Sequence, residues 1–377
     1  MEENGKKRKR MLLSLGGFFL LAGAAYAAYW FIYGQYYQET DDAYVSGNLV
    51  QLMPQITGNV AAVYADDTAQ VNAGQTLVTL DGTDARLALQ NAETALAETV
   101  RRVKQLYSSA GELRALVNEK QATLFKAQQD LERRILLIAG HAVSQEELQH
   151  ARDNVSIAAD SLASAQHRLS AALSAVENTT IATHPAVLQA ETRVRQAWLY
   201  CERTSIKAPA AGYVAKRSVQ VGERVNPGSP LMVIVPLNEI WVDANFKENQ
   251  LRHIRIGQPV TLTSDIYGGS IVYHGRVAGL GAGTGSVFSL LPPQNATGNW
   301  IKVIQRLPVR IRLDASEIAR HPLRIGLSMV AKVDTHDQSG AVLASVAPEK
   351  PVYSTSVFEY KESPVERMIA KIVQDNG

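Results

Sequence analysis

Cysteine is almost absent: Cys201 is the single one in 377 residues. That excludes an internal disulfide framework and any metal site assembled from clustered thiolates. Its place on a helical seam points to packing, not to a reactive thiol. The eight histidines are scattered, no H-E-x-x-H pattern occurs, and His141 and His150 stand without close partner ligands. A charge excess is missing as well. Lys plus Arg number 38 against 36 for Asp plus Glu, so no basic field points to nucleic acid. Gly281-Ala282-Gly283-Thr284-Gly285 lacks both the G-x-G-x-x-G spacing and the Lys-Ser/Thr of a phosphate loop, and it reads as a turn. Asp41-Asp42 and Asp66-Asp67 have no nucleophile or oxyanion group beside them and read as solvated loop carboxylates. Neither a catalytic centre, nor a bound cofactor, nor a metal is expected.

Positive charge is missing in a telling place. Lys6, Lys7, Arg8, Lys9 and Arg10 crowd the N-terminus, residues 12–33 carry no charge, and no Lys or Arg follows between Gly34 and Ala85. At about 1.5 Å per residue the uncharged run matches a hydrocarbon core of about 30 Å, so a membrane helix is expected. The positive-inside bias puts the N-terminus in the cytoplasm and exports the rest. Tyr26, Tyr29, Trp30, Tyr33, Tyr36 and Tyr37 are expected to form an aromatic belt at the outer interface. Ala25-Tyr26-Ala27 fits a signal-peptidase site, but the apolar run continues past it, which favours an uncleaved anchor.

One pattern occurs twice. Gly58, Val60, Val71, Gly74, Leu77 and Leu80 are matched without a gap by Gly212, Val214, Val225, Gly228, Leu231 and Ile234. Two copies so far apart are too few and too distant for a solenoid, and they read as halves of one β domain that the chain leaves and re-enters. Between them, apolar residues recur every seventh position from Leu89 through Leu96, Val103, Ala110, Val117, Leu124 and Leu131 to Ile138. The return run alternates Leu148, Val155, Leu162, Leu169 and Val176 with Ala151, Ala158, Ala165 and Ala172. Such seams predict an antiparallel pair of helices, an arm of roughly 80 Å. Ser144 with Glu147 forms a capping box that starts the second helix. The register breaks over 178–185, and Pro185 is expected to open a fresh helical segment.

Beyond Ile240, short apolar runs alternate with Gly-rich turns: Trp241 to Asn245, Pro259 to Thr263, Ile271 to Val277, Val309 to Leu313 and Met329 to Val333. These predict a small antiparallel β-barrel. The expected class is therefore α+β, in the order cytoplasmic tail (1–11), transmembrane helix (12–33), extended linker or strand to the barrel (34–53), first half domain (54–82), helical hairpin with its tip at about 138–146 (83–205), second half domain (206–237), barrel (238–336) and a C-terminal segment (337–377) with a short helix near Pro364 to Val373.

The two Gly/Val halves resemble the biotinyl/lipoyl fold. Asp81-Gly82-Thr83 stands where that fold carries its modified lysine, so a carrier role is not expected. The whole order of segments resembles the HlyD-type periplasmic adaptors, or membrane fusion proteins. Within them it is similar to the EmrA type through Thr40-Asp41-Asp42-Ala43-Tyr44-Val45, through Trp241-Val242-Asp243-Ala244-Asn245-Phe246-Lys247-Glu248 and through the stretch Thr284 to Pro308. The resemblance implies an inner-membrane-anchored adaptor of a multidrug efflux system. It would join an EmrB-like major facilitator drug/proton antiporter to a TolC-like outer-membrane channel, assemble as a homo-oligomer (trimer or hexamer) and export hydrophobic toxic compounds. Related adaptors dock on the channel through an R-x3-L-x6-S pattern at the hairpin tip, which falls here on Arg133, Leu137 and Ser144. Three alternatives stay open: an adaptor of an ABC-type peptide or protein secretion system, a carrier enzyme component, and a static envelope tether.

Overall fold

In the computed structural model, residues 3–32, 34–138, 142–285, 287–288, 304–343, 349, 351–360 and 362–377 are described. Gly140 and His141 of the expected hairpin turn, Tyr33 of the belt and most of the stretch Thr284 to Pro308 lie outside them. In chain order the elements are α1 (Glu3–Ile32), β1 (Tyr37–Ser46), β2 (Val50–Leu52), β3 (Gly58–Val63), β4 (Gln70–Val71), β5 (Thr76–Leu80), α2 (Thr83–Ile138), α3 (Gln145–Leu173) and α4 (Pro185–Glu202). There follow β6 (Ser205–Lys207), β7 (Gly212–Arg217), β8 (Arg224–Val225), β9 (Met232–Val235), β10 (Trp241–Lys247), β11 (Pro259–Ser264), β12 (Gly268–Leu280), β13 (Arg306–Leu313), α5 (Ala315–Arg320), β14 (Ser328–Asp334) and α6 (Glu362–Asn376). The expected α+β class and its split β domain are what the chain adopts.

The uncharged run lies in α1, and Met11–Tyr36 has the length and mean hydropathy, 1.8, to cross a membrane. Tyr26, Tyr29 and Trp30 are exposed on it. Tyr36 and Tyr37 pack on the barrel: Tyr36 stacks on His336 at 4.4 Å, and Lys332 lies over the Tyr37 ring.

The barrel closes in the order β1-β10-β13-β12-β11-β14, with every pair antiparallel, so it has no free edge. Each expected strand segment from Trp241 to Val333 lies within an observed strand. Phe246, Leu262, Tyr273, Ile311 and Leu323 fill the interior. The Tyr273 hydroxyl donates to the His321 carbonyl at 2.9 Å, and burial of the phenol pushes its pKa up to about 12. A bulge between Thr40 and Ala43 puts Asp41 and Asp42 in succession outside the barrel. Asp42 then bonds Arg306 at 2.8 Å and Asn245 at 3.1 Å, tying the strand that follows the membrane helix to β13 and β10.

The β domain is two four-stranded sheets, β2-β9-β7-β4 and β6-β5-β3-β8, and each sheet mixes strands from both halves of the repeat. Gly58 faces Val225 while Val71 faces Gly212, and Val60 faces Leu80 while Val214 faces Ile234. The repeat is thus a pseudo-two-fold axis written into the sequence. Neither half can bury Val60, Val71, Val214 and Val225 alone. They share one core although a long helical arm separates them in the chain.

Candidate functional site

The arm is the feature that reaches farthest from the barrel. α2 has 56 residues, which at about 1.5 Å each is about 84 Å. Antiparallel α3 covers its distal part, with Leu148, Ala151, Ala158 and Ala165 buried between the helices. Small residues at the seam let the two axes approach closely. α3 stops at Leu173, short of Val176, the last seam residue expected in it, which is buried all the same, and Asn178 turns the chain with φ +57. Pro185 opens α4, and His184 caps it by accepting the Ala186 N–H. Cys201 is half-buried near the end of α4.

At the distal end, Arg133 is 70% exposed and reaches Asp130 at 3.4 Å, while Arg134 takes the other Asp130 oxygen at 2.9 Å. Leu137 is 51% exposed, and its carbonyl accepts the Ala142 N–H at 3.3 Å. Ser144 is the N-cap of α3: its hydroxyl accepts the Glu147 N–H at 3.1 Å, and its own N–H donates to the Glu147 carboxylate at 2.8 Å. Those bonds hold Glu147 below the usual carboxylate range. All three residues named by the pattern therefore belong to one end of the arm. Arg133 and Leu137 present free surface there, while the Ser144 hydroxyl is spent on the helix start. Sequence reasoning passed over Ile135 and Leu136, which are exposed beside Leu137. The signal was available, since a two-helix seam calls for one or two apolar positions per turn and not three aliphatics in a row.

At the proximal end the arm is a three-helix bundle. Val365 and Ile369 of α6 are buried against Leu96, Val100 and Val103 of α2 and Val187, Ala190 and Val194 of α4. Arg195 of α4 grips Glu366 of α6 through two bonds, 2.7 and 2.9 Å, and also Glu191 at 3.1 Å. The Arg195 bonds hold Glu366 below its ordinary range. A rigid root is what a lever of this length requires.

The other residues singled out by sequence lie in the β domain. Val60, Val71, Val214 and Val225 are core, and Gly74 and Gly228 hold matching left-handed turns at φ +79 and +90. At Gly212 a Cβ would come within 2.5 Å of the Val235 carbonyl oxygen. The Asp66-Asp67 pair is exposed in a loop, as expected, and is also engaged: Asp66 accepts from the Arg217 guanidinium at 2.7 Å and Asp67 from the Arg217 N–H at 2.6 Å, joining the two halves. Asp42 is likewise engaged, and Asp41 and Asp42 stand in β1 and not in the loop expected of them, Asp41 exposed and Asp42 half-buried. These partners lie 150 to 264 residues away, beyond the reach of local pattern. Among the described residues no group of three or more His, Cys, Asp or Glu could hold a metal ion. Asp81 spends its carboxylate on the Thr83 N–H and hydroxyl, fastening the exit of α2 from the β domain.

The family profile described as EMRA, alpha-helical hairpin domain, matches residues 83–204. The multidrug export protein EmrA of Escherichia coli (strain K12) is 49% identical over 353 residues, which are 94% of this chain and 90% of that protein. The fatty acid resistance protein FarA of Neisseria gonorrhoeae is 46% identical over 97% of this chain and 93% of that protein. A solved structure of the periplasmic adaptor protein EmrA aligns at a TM-score of 0.40 and 19% identity, covering 80% of this chain and 99% of that one.

Proposed function

This chain belongs to the EmrA-type membrane fusion proteins, and from that footing we propose that it is the periplasmic adaptor of a tripartite multidrug efflux system. α1 anchors it in the inner membrane with the basic N-terminus in the cytoplasm, and everything after α1 lies in the periplasm. The barrel seats on a major facilitator drug/proton antiporter of the EmrB kind. The hairpin tip meets a TolC-like outer-membrane channel, and hydrophobic toxic compounds leave through the joined path. One observation carries this reading: a single chain joins a membrane-length apolar helix, through four residues, to a barrel strand, and elsewhere extends an arm of about 84 Å whose tip leaves Ile135, Leu136 and Leu137 uncovered. Aliphatic side chains exposed at the end of a stiff lever favour a partner surface there.

The adaptor performs no covalent chemistry. The antiporter's proton gradient supplies the work, and the adaptor supplies a sealed connection and a channel-docking end made by Arg133, Leu137 and the turn that Ser144 orders. Several copies, three or six, surround the channel axis, with the β domains held rigid by the shared core around Val60, Val71, Val214 and Val225, by the close strand packing at Gly58 and Gly212 and by the turns at Gly74 and Gly228.

Affinity purification of the tagged full-length protein from membranes in mild detergent, followed by mass spectrometry, tests the reading. Recovery of a many-helix transporter without an ATPase, together with an outer-membrane channel, is the expected result. Recovery of an ABC ATPase overturns it.

A further inference from the structure

Three chain connections and the exit from the membrane helix meet at one end of the barrel. The starts of β1, β11 and β13 and the ends of β10, β12 and β14 share that end, and the links to the β domain leave from the other. The Tyr36 carbonyl accepts the Thr335 N–H at 2.8 Å and the Thr335 hydroxyl at 2.7 Å, which ties the residue before β1 to the residue after β14. At most about 15 Å of chain separates the end of α1 at Ile32 from Tyr37, because Gly34–Tyr36 is wound in a 3-10 turn.

Five large apolar side chains stand uncovered at this end. Val287, Phe288 and Ile304 belong to the β12–β13 connection, with Phe288 74% exposed; Val342 and Leu343 follow β14, with Leu343 67% exposed. Backbone bonds hold both groups to the rim. Gly281 donates its N–H to the Pro308 carbonyl at 2.8 Å, Val287 donates to the Thr284 carbonyl at 3.0 Å, and the Phe288 ring lies against Gly283. The Ile256 N–H, in the β10–β11 connection, donates to the Ala341 carbonyl at 3.0 Å. A lone exposed apolar residue needs no explanation, but five at one end do.

We propose that these side chains dip into the leaflet that faces the barrel and form a second, shallow anchor whose partner is the phospholipid surface. The inference rests on one part of the adaptor reading, that α1 spans the membrane. What covers the rim follows from that helix: the headgroup layer beside the hydrocarbon core is about 5 to 7 Å deep, and the joint after α1 is too short to lift the barrel far beyond it. Lys247 at the end of β10 and Arg252 in the connection that follows are exposed at the same end. Such long cationic side chains reach phosphates while apolar neighbours enter beneath them. With its rim in lipid the barrel stands at a fixed tilt instead of swinging about the short joint, and the antiporter is left the rest of the rim.

The test uses the full-length protein, with Cys201→Ser as background, reconstituted without other proteins into vesicles of phosphatidylethanolamine and phosphatidylglycerol. Phe288→Cys, Leu343→Cys and, as reference, Ile266→Cys are labelled singly with a small fluorophore; Ile266 is exposed at the far end of the barrel. A lipid carrying a nitroxide high on its acyl chain is the quencher. The two rim labels are expected to lose most of their fluorescence and the Ile266→Cys label to keep its own. Rim labels that stay bright, or a reference label quenched as strongly, overturn the inference. Stronger quenching by a nitroxide on the headgroup also overturns it, since the rim would then rest on the surface without entering. Rim labels that respond only when the antiporter is reconstituted alongside assign these side chains to a protein partner and overturn it too. Val287→Asp with Phe288→Asp is expected to weaken quenching at Leu343→Cys, and unchanged quenching would deny that the five act as one anchor. Flotation separates the two readings. Protein that fails to float with the vesicles removes the α1 anchor itself, whereas protein that floats with bright rim labels removes only this contact.

Discussion

Thr68 occupies the place in the first half of the β domain that Gly222 holds in the second, and both have left-handed backbone, φ +70 and +85. Their bonds match as well: the Thr68 N–H donates to the Val214 carbonyl and the Gly222 N–H to the Val60 carbonyl, each at 2.8 Å. The turn is the same device used twice, once with the residue suited to it and once with a β-branched residue that is not. Thr68→Gly is therefore expected to stabilise the protein by about 1 kcal/mol, the relief of left-handed strain offset by the freedom gained in the unfolded chain. Gly222→Ala is expected to destabilise by a similar amount. No atom stands within 4 Å of a Cβ at Gly222, so the effect is conformational alone. Denaturant unfolding of the two variants in detergent reads the difference, and a destabilised Thr68→Gly would show that the threonine side chain holds the turn.

The C-terminal helix is held by burial and by one ionic grip. Val365 and Ile369 are 0% and 3% exposed, so Ile369→Ala is expected to weaken docking of α6 by about 3 kcal/mol, within the range for large-to-small changes in a core. Amide exchange over α6 reports it directly. The Glu366 carboxylate is depressed by its bonds from Arg195. Its contribution is therefore complete above the ordinary glutamate value of about 4.3 and is lost as pH falls through the lower, folded value. Exchange protection of α6 is expected to be unaffected by this pair from pH 7 to about 5 and to fall below about 4. Glu366→Gln is expected to remove that acid limb while leaving the apolar docking in place.

What was legible in the sequence was what repeats. The Gly/Val pattern fixed the two halves of the β domain because alternate strand residues face one core, and the heptads fixed the arm because every turn meets the same partner. The capping box at Ser144 placed the start of α3 to the residue. Illegible features were those whose partner lies elsewhere in the chain. Leu106 is 39% exposed, while the more polar Tyr107 beside it turns inward and bonds Thr179 at 2.9 Å. Val100 stands outside the seven-residue series yet is buried, because α6 joins α2 and α4 there and widens the buried face. The apolar spacing Val365, Met368, Ile369, Ile372 showed that a helix exists but not where it lands. Thr68 is a different case: the repeat aligns it with Gly222, and its left-handed backbone could have been read from that alignment.

Ser144 stands in the docking pattern, yet its hydroxyl is occupied by Glu147. Ser144→Ala is expected to cost about 1 kcal/mol at the start of α3 and to fray its first turn, lowering export. Aspartate is as good an N-cap, so Ser144→Asp is expected to keep the helix start and to keep export near the original level. Helix content of the tip and drug resistance are the two readouts. Lost export with an intact helix start would make the hydroxyl itself a docking contact. If Arg133 docks on the channel, Arg133→Asp is expected to abolish export while the protein remains folded and membrane-bound, since that side chain is 70% exposed; unchanged drug resistance at normal expression would overturn the docking role.

Gly58 and Gly212 are equivalent in the repeat but not in what surrounds them. A Cβ at Gly58 would meet Cβ and Cδ1 of Leu80 at 3.2 Å, a side chain that can give by a few tenths of an ångström. At Gly212 it would meet the Val235 carbonyl oxygen at 2.5 Å and carbon at 2.7 Å, backbone held in the β7–β9 ladder and followed by Pro236. Gly58→Ala is expected to cost under about 1 kcal/mol, and Gly212→Ala about 3 kcal/mol, because relief there requires parting two paired strands. Gly212→Ala should also release Tyr213 and its neighbours from exchange protection. The asymmetry is the informative result. Equal losses would mean that both glycines answer to the repeat itself, whereas a loss confined to Gly212 would locate the constraint in the strand crossing where the second half closes over the first.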